Sequence, residues 1–191
     1  LQTDIPKGLL LGIGKAEAIR KLNNKYIIWP WTINHAGKSL FFDTKKQMRN
    51  YVFKNLKSND FNIDVGCMQI NIKWHKNNFK KVADMFEVSP NISYAASFLL
   101  QLKKKHGSWD KAIKHYHSSD PKKNIPYLIK VKGFWKRLEG EKIIKAKNIK
   151  YESFKKTNET SVSNMIKERQ PYLFERIEKV EFFRDIFSQN K

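Results

Sequence analysis

Ile63-Asp64-Val65-Gly66-Cys67-Met68-Gln69-Ile70-Asn71 is the most informative run in this chain. It joins a turn glycine, an apolar pair and two amides with no simple amphipathic period, so neither a plain helix nor a plain strand accounts for it. Gly66 permits a close backbone approach or an unusual dihedral. Cys67 and Met68 are typical interior residues, while Gln69 and Asn71 carry amides able to hold a polar ligand. The run reads as part of a site and not merely of a scaffold.

On its N-terminal side, Pro6 opens a helix running to Arg20, with apolar positions 9, 10, 13, 16 and 19 inward and Glu17 at the edge of that stripe. Trp29 to Asn34 and Ser39 to Phe42, joined by His35-Ala36-Gly37-Lys38, read as a β-hairpin and give the one strong strand signal. Asp43 or Thr44 caps a helix carrying Met48, Val52 and Leu56. On the C-terminal side, helices are predicted around Phe79 to Phe86, from Ser89-Pro90 to the Gly107 stop, over Trp109 to Tyr116, and over Tyr127 to Leu138. Helix is the dominant element.

The length of 191 residues suits one principal domain with an appendage. The net charge of +20 is uneven: residues 139–191 hold 12 Lys/Arg against 9 Asp/Glu, and residues 1–138 hold 26 against 9. The folded part is therefore the basic part, suited to a polyanion such as nucleic acid, teichoic acid, anionic lipid or carboxylate-rich cell-wall peptides, or simply to solubility. No zinc finger or ribonucleoprotein motif is visible, so a nucleic-acid partner is not expected. One cysteine, Cys67, excludes an internal disulfide framework. His75, His106, His115 and His117 lack the companion carboxylates or cysteines of a zinc site, so neither metal nor cofactor is expected. Cys67 has apolar neighbours that raise a thiol pKa, which makes it a poor nucleophile. The start at Leu1-Gln2-Thr3, without methionine, fits a processed or trimmed chain.

Residues 140 to about 160 are lysine-rich and polar and read as a linker. Beyond them, Pro171 to Phe187 places apolar residues 173, 177, 180, 183 and 187 on one helical face, which either packs back on its own domain or meets a partner or a membrane surface.

Taken in order, Glu17, Pro30-Trp31-Thr32-Ile33-Asn34, Gly37-Lys38, Phe41-Phe42, Gly66-Cys67-Met68-Gln69, Asn91-Ile92-Ser93-Tyr94-Ala95-Ala96 and Tyr116-His117-Ser118 resemble the motifs of lytic transglycosylases of the lysozyme-like superfamily, over residues 6 to about 135. The resemblance implies a mainly α-helical, lysozyme-like catalytic domain (1–138) with a small β-hairpin insertion, and a C-terminal helical extension (139–191). It implies an exported, periplasmic or secreted monomer that cuts the β-1,4 bond between N-acetylmuramic acid and N-acetylglucosamine in peptidoglycan and leaves a 1,6-anhydro ring. Residues 139–191 lie outside the resemblance and are left for a cell-envelope partner.

By the same resemblance Glu17 is the general acid and then the base, Tyr116 hydrogen-bonds and orients it, and Met68, Gln69 and Tyr94 line the sugar groove. Asn91 either contacts sugar or caps its helix. A glutamate on an apolar helix suits the task because burial raises a carboxyl pKa. No obvious second catalytic carboxylate accompanies it. Asp64 is the nearest, and a cap or turn role is expected for it. Family members commonly carry serine after the catalytic glutamate; here Ala18 removes that hydroxyl. The alternatives are a peptidoglycan-binding module that does not cut and a basic nucleic-acid-binding protein.

Overall fold

The computed structural model describes residues 4–148, with side chains through Leu138. The chain divides into two units, Leu1–Glu141 and Lys142–Lys191, and everything below concerns the first. Residues 140–148, expected to open the linker, are helical instead; the rest of the linker and the helix expected over 171–187 lie outside the described residues.

A left-handed Gly8 leads into α1 (Leu9–Ala18), where Leu9, Ile13 and Ala16 are buried at helical spacing. Burying a leucine or isoleucine contributes about 1.5–3 kcal/mol, so this stripe, not propensity, holds a helix containing two glycines. Glu17 follows Ile13 by one turn, beside the buried stripe.

Helix does not continue to Arg20. Instead β1 (Ile19–Leu22) folds back on β2 (Lys25–Ile28) through Asn23 and Asn24, both with positive φ. Asparagine tolerates that conformation, and two such residues make the tight turn that matches strand twist. The expected hairpin forms as β3 (Thr32–His35) and β4 (Lys38–Phe41), turning at Ala36-Gly37. Two further strands lie in the decisive run, β5 (Ile63–Val65) and β6 (Ile70–Asn71), giving a second sheet of order β4-β3-β5-β6.

The expectation of a mainly α-helical, lysozyme-like domain with one small hairpin is therefore corrected: the described residues form a mixed α/β fold of six helices and two antiparallel sheets totalling six strands. The added strands are short, and β5 and β6 exist through pairing with β3, which local periodicity does not reveal.

The helices complete the core. α2 (Lys45–Lys57) starts at a capping box, with Gln47 N–H donating to Thr44 Oγ1 at 3.2 Å and Thr44 N–H to Gln47 Oε1 at 3.0 Å. α3 (Ile72–His75) leads to a 3₁₀ turn, Lys76–Asn78, and a second, Val82–Phe86, replaces the helix expected there. α4 (Val88–His106) ends at left-handed Gly107, α5 (Trp109–His117) is capped by Ser108, and α6 (Pro121–Asn148) begins six residues before Tyr127. Ile33, Ile63 and Val65 of the sheet join Ile13, Met48, Leu99, Ile113 and Val131 in one fully buried core. No helix among the described residues is long and apolar enough to cross a membrane.

Candidate active site

Cross-strand register sorts the larger sheet into two faces. Leu40, Ile33, Val65 and Ile70 stand opposite one another, the last three buried. Ser39, Asn34, Asp64 and Asn71 form the neighbouring row on the other face, and none of these four is fully buried. The row is a strip of hydroxyl, amide and carboxyl groups crossing all four strands. Within it Asn71 Nδ2 donates to Asp64 Oδ1 at 2.8 Å. Desolvation raises the Asp64 pKa, partly offset by that hydrogen bond.

The turn between β5 and β6 is built around Asn91, whose amide lies inside the protein. Its Nδ2 donates to the carbonyls of Val65 (3.0 Å) and Met85 (3.1 Å), and its Oδ1 accepts from Met68 N–H (3.0 Å) and Cys67 Sγ (3.6 Å). Gly66 is demanded twice here: its φ is +81°, and a Cβ would stand 2.6–2.8 Å from the Asn91 amide. At 1 % exposure Asn91 has no surface for a sugar and does not cap α4, so both readings of it are corrected to an internal brace.

That brace presents Met68 to α1. Met68 is 3 % exposed, with its sulfur against Gly14, so it lies beneath the site and does not line a groove. Gln69, in the left-handed region at φ 46°, turns its Nε2 back to the carbonyls of Gly66 (2.7 Å) and Thr32 (3.3 Å). Cys67 is buried, and desolvation pushes its thiol up to about 12, consistent with an inert role.

Glu17 stands at the last turn of α1. Burial pushes its carboxyl from 4.5 up to about 7; the Tyr127 hydrogen bond opposes the rise, the Asp64 charge adds to it, and Lys130 opposes it. Tyr127 O–H donates to Glu17 Oε1 at 2.6 Å. The Lys130 ammonium donates to the Ala16 carbonyl, placing a cation at the α1 C-terminus, where helix carbonyls are unpaired. Both groups come from α6, one turn apart.

Tyr116 does not hydrogen-bond Glu17, so its orienting role is corrected: its hydroxyl donates to the Met68 carbonyl at 2.9 Å. It still feels the Glu17 charge, which adds to desolvation in holding its pKa well above the usual value. An aromatic chain runs from Phe79 to Tyr94 (4.8 Å between ring centres), Phe98 (6.2 Å, stacked) and Tyr116 (5.6 Å). Tyr94 is tied to His75 Nδ1 at 2.8 Å. On the other side His117 stacks on Tyr127 at 4.4 Å. Ala18 is fully buried, so no side-chain surface at that position is open to a ligand.

No protein-family model, curated protein or solved structure matches this chain. The geometry must therefore carry the reading. The structure brings Glu17 and Asp64 within electrostatic reach of each other, holds Met68 and Asn91 inside, and ties Gln69 and Tyr116 to backbone. Sequence reasoning missed Tyr127, Lys130 and the register that sets Ser39 and Asn34 in one row with Asp64 and Asn71. The signal for Tyr127 was present, since a tyrosine on an inward helical stripe needs a partner for its hydroxyl.

Proposed function

We propose that this protein is a lytic transglycosylase that cuts the β-1,4 bond between N-acetylmuramic acid and N-acetylglucosamine of peptidoglycan, with Glu17 as its one acid–base residue. The observation that carries this reading is the Glu17 carboxyl itself: one oxygen held by Tyr127 and a pKa near 7. A group that must give a proton and then take one works best with a pKa close to the working pH.

In the proposed reaction the acid form of Glu17 protonates the glycosidic oxygen and the muramyl C1–O bond breaks. The N-acetylglucosamine side leaves as an alcohol. The muramyl 6-hydroxyl oxygen then bonds to C1, its proton passes to the Glu17 carboxylate, and the acid form returns. No water is consumed. Tyr127 holds Oε1 and so leaves Oε2 to carry the proton, while Tyr127 and Lys130 favour the carboxylate that exists between the two transfers. The Ser39–Asn34–Asp64–Asn71 row offers hydrogen-bonding groups suited to sugar hydroxyls and acetamides, and the resemblance in motif order supports the same substrate. Such a substrate implies an exported protein.

The test is release of soluble glycan from purified sacculi. Wild type is expected to release it and Glu17→Gln to release none; equal release by both would overturn the assignment.

A further inference from the structure

Beyond the polar row lies an open groove of about 340 Å³ lined by Asn59, Asp60, Phe61, Asn62, Lys73 and Lys76. It is contiguous with the row through one amide, because Asn71 Nδ2 is shared between Asp64 Oδ1 at 2.8 Å and Asn62 Oδ1 at 3.1 Å. Asn62 thereby presents its own acceptor to Asn71 and retains its Nδ2 donor. The groove's one carboxylate is already partnered at both oxygens: Asp60 Oδ1 accepts from Asn62 N–H at 3.4 Å, Asp60 Oδ2 meets His35 Nε2 at 2.7 Å, and the His35 Nδ1 meets Tyr51 Oη at 2.9 Å.

What faces the opening is cationic. Lys76 Nζ stands 3.9 Å from the centre of the Phe61 ring, and Lys73 Nζ 4.9 Å from that of Trp74, which is 69 % exposed. Among the described residues neither lysine makes an ion pair. Two like charges three residues apart, held over aromatic faces without an anion, repel each other mildly and are relieved by a shared anion.

We propose that this groove is a subsite for a carboxylate on the side arm of the glycan, received by Lys73 and Lys76 with the Asn62 amide. This rests on the glycan-cleaving reading above. The carboxylate is either that of the muramyl lactyl arm or one belonging to the attached peptide.

The experiment measures binding of the full chain carrying Glu17→Gln to three ligands: chitohexaose, which is neutral; glycan stripped of peptide, which bears lactyl carboxylates; and glycan with its peptides. The protein is expected to favour a carboxylate-bearing ligand over chitohexaose by about fivefold or more, and Lys73→Gln/Lys76→Gln to abolish that preference. Lys104→Gln/Lys105→Gln, which removes the same charge from the exposed end of α4, is expected to keep it. Preference for stripped glycan assigns the lactyl group, and preference confined to peptide-bearing glycan assigns the peptide. A preference that survives Lys73→Gln/Lys76→Gln, is lost equally in the control, or is absent from the start overturns the subsite while leaving the glycan reading intact. Failure to bind all three ligands overturns both.

Discussion

Tyr127 donates its hydroxyl proton to Glu17 Oε1 at 2.6 Å across 110 residues of sequence, joining α6 to the last turn of α1. The same bond restrains the carboxyl and favours its ionised form. Tyr127→Phe keeps the ring that packs on His117 and removes only the bond. It is expected to lower kcat about tenfold, a loss of about 1.4 kcal/mol of positioning. Because the lost bond favoured the carboxylate, the Glu17 pKa rises and the alkaline limb of the pH–rate profile moves to higher pH. A rate loss with an unmoved limb would show that the hydroxyl acts elsewhere.

Asp64 works in the opposite direction. Its charge raises the Glu17 pKa, so Asp64→Asn, which still accepts from Asn71, is expected to move the alkaline limb to lower pH. Opposite displacements in Asp64→Asn and Tyr127→Phe, read from kcat/KM against pH, check the electrostatic account of Glu17 without reference to absolute rate.

The same carboxyl links stability to pH. Native Glu17 titrates near 7 and the unfolded residue near 4.5, so between those values the native state binds the extra proton. Its contribution is complete below about pH 4.5 and is lost as pH rises through about 7. Glu17→Gln removes this loss. At pH 8 the variant should exceed wild type by up to about 3 kcal/mol in urea unfolding, with little difference at pH 4. An equal difference at both pH values would contradict the raised native pKa.

The brace around the β5–β6 turn is open to a double-mutant cycle. Asn91→Ala leaves the carbonyls of Val65 and Met85 and the Met68 N–H without their buried partner, at an expected cost of about 3 kcal/mol. Gly66→Ala forces a Cβ into the Asn91 amide at positive φ and is expected to cost about 2 kcal/mol or more. Together they should cost clearly less than their sum, since removing the Asn91 amide clears the space the new methyl needs. Additive losses in urea unfolding would mean that the two positions act independently.

Much of this site was legible because its chemistry is local. Glu17 beside an apolar stripe, Gly66 before an apolar pair, and the Thr44 cap each announce themselves within a few residues. The larger sheet did not, since β5 and β6 are three and two residues long and are defined by their register with β3. The β1–β2 hairpin was hidden by a helical period that ran through Ile19, although Asn23-Asn24 carried a turn signal. By the resemblance Tyr116 was read as the partner that orients Glu17, and Asn91 as a sugar contact or a helix cap; in the fold each satisfies backbone instead. Tyr127 was assigned to the core on its spacing, correctly for the ring, which is 6 % exposed, and silently for the hydroxyl.

The central claim is that one carboxyl acts twice and water takes no part. Mass spectrometry of the soluble products from sacculi digested in heavy-oxygen water tests it most directly. The account predicts muramyl ends lighter by one water than reducing ends, without heavy oxygen, from wild type and not from Glu17→Gln. Reducing ends carrying heavy oxygen would contradict it and assign the protein to hydrolysis.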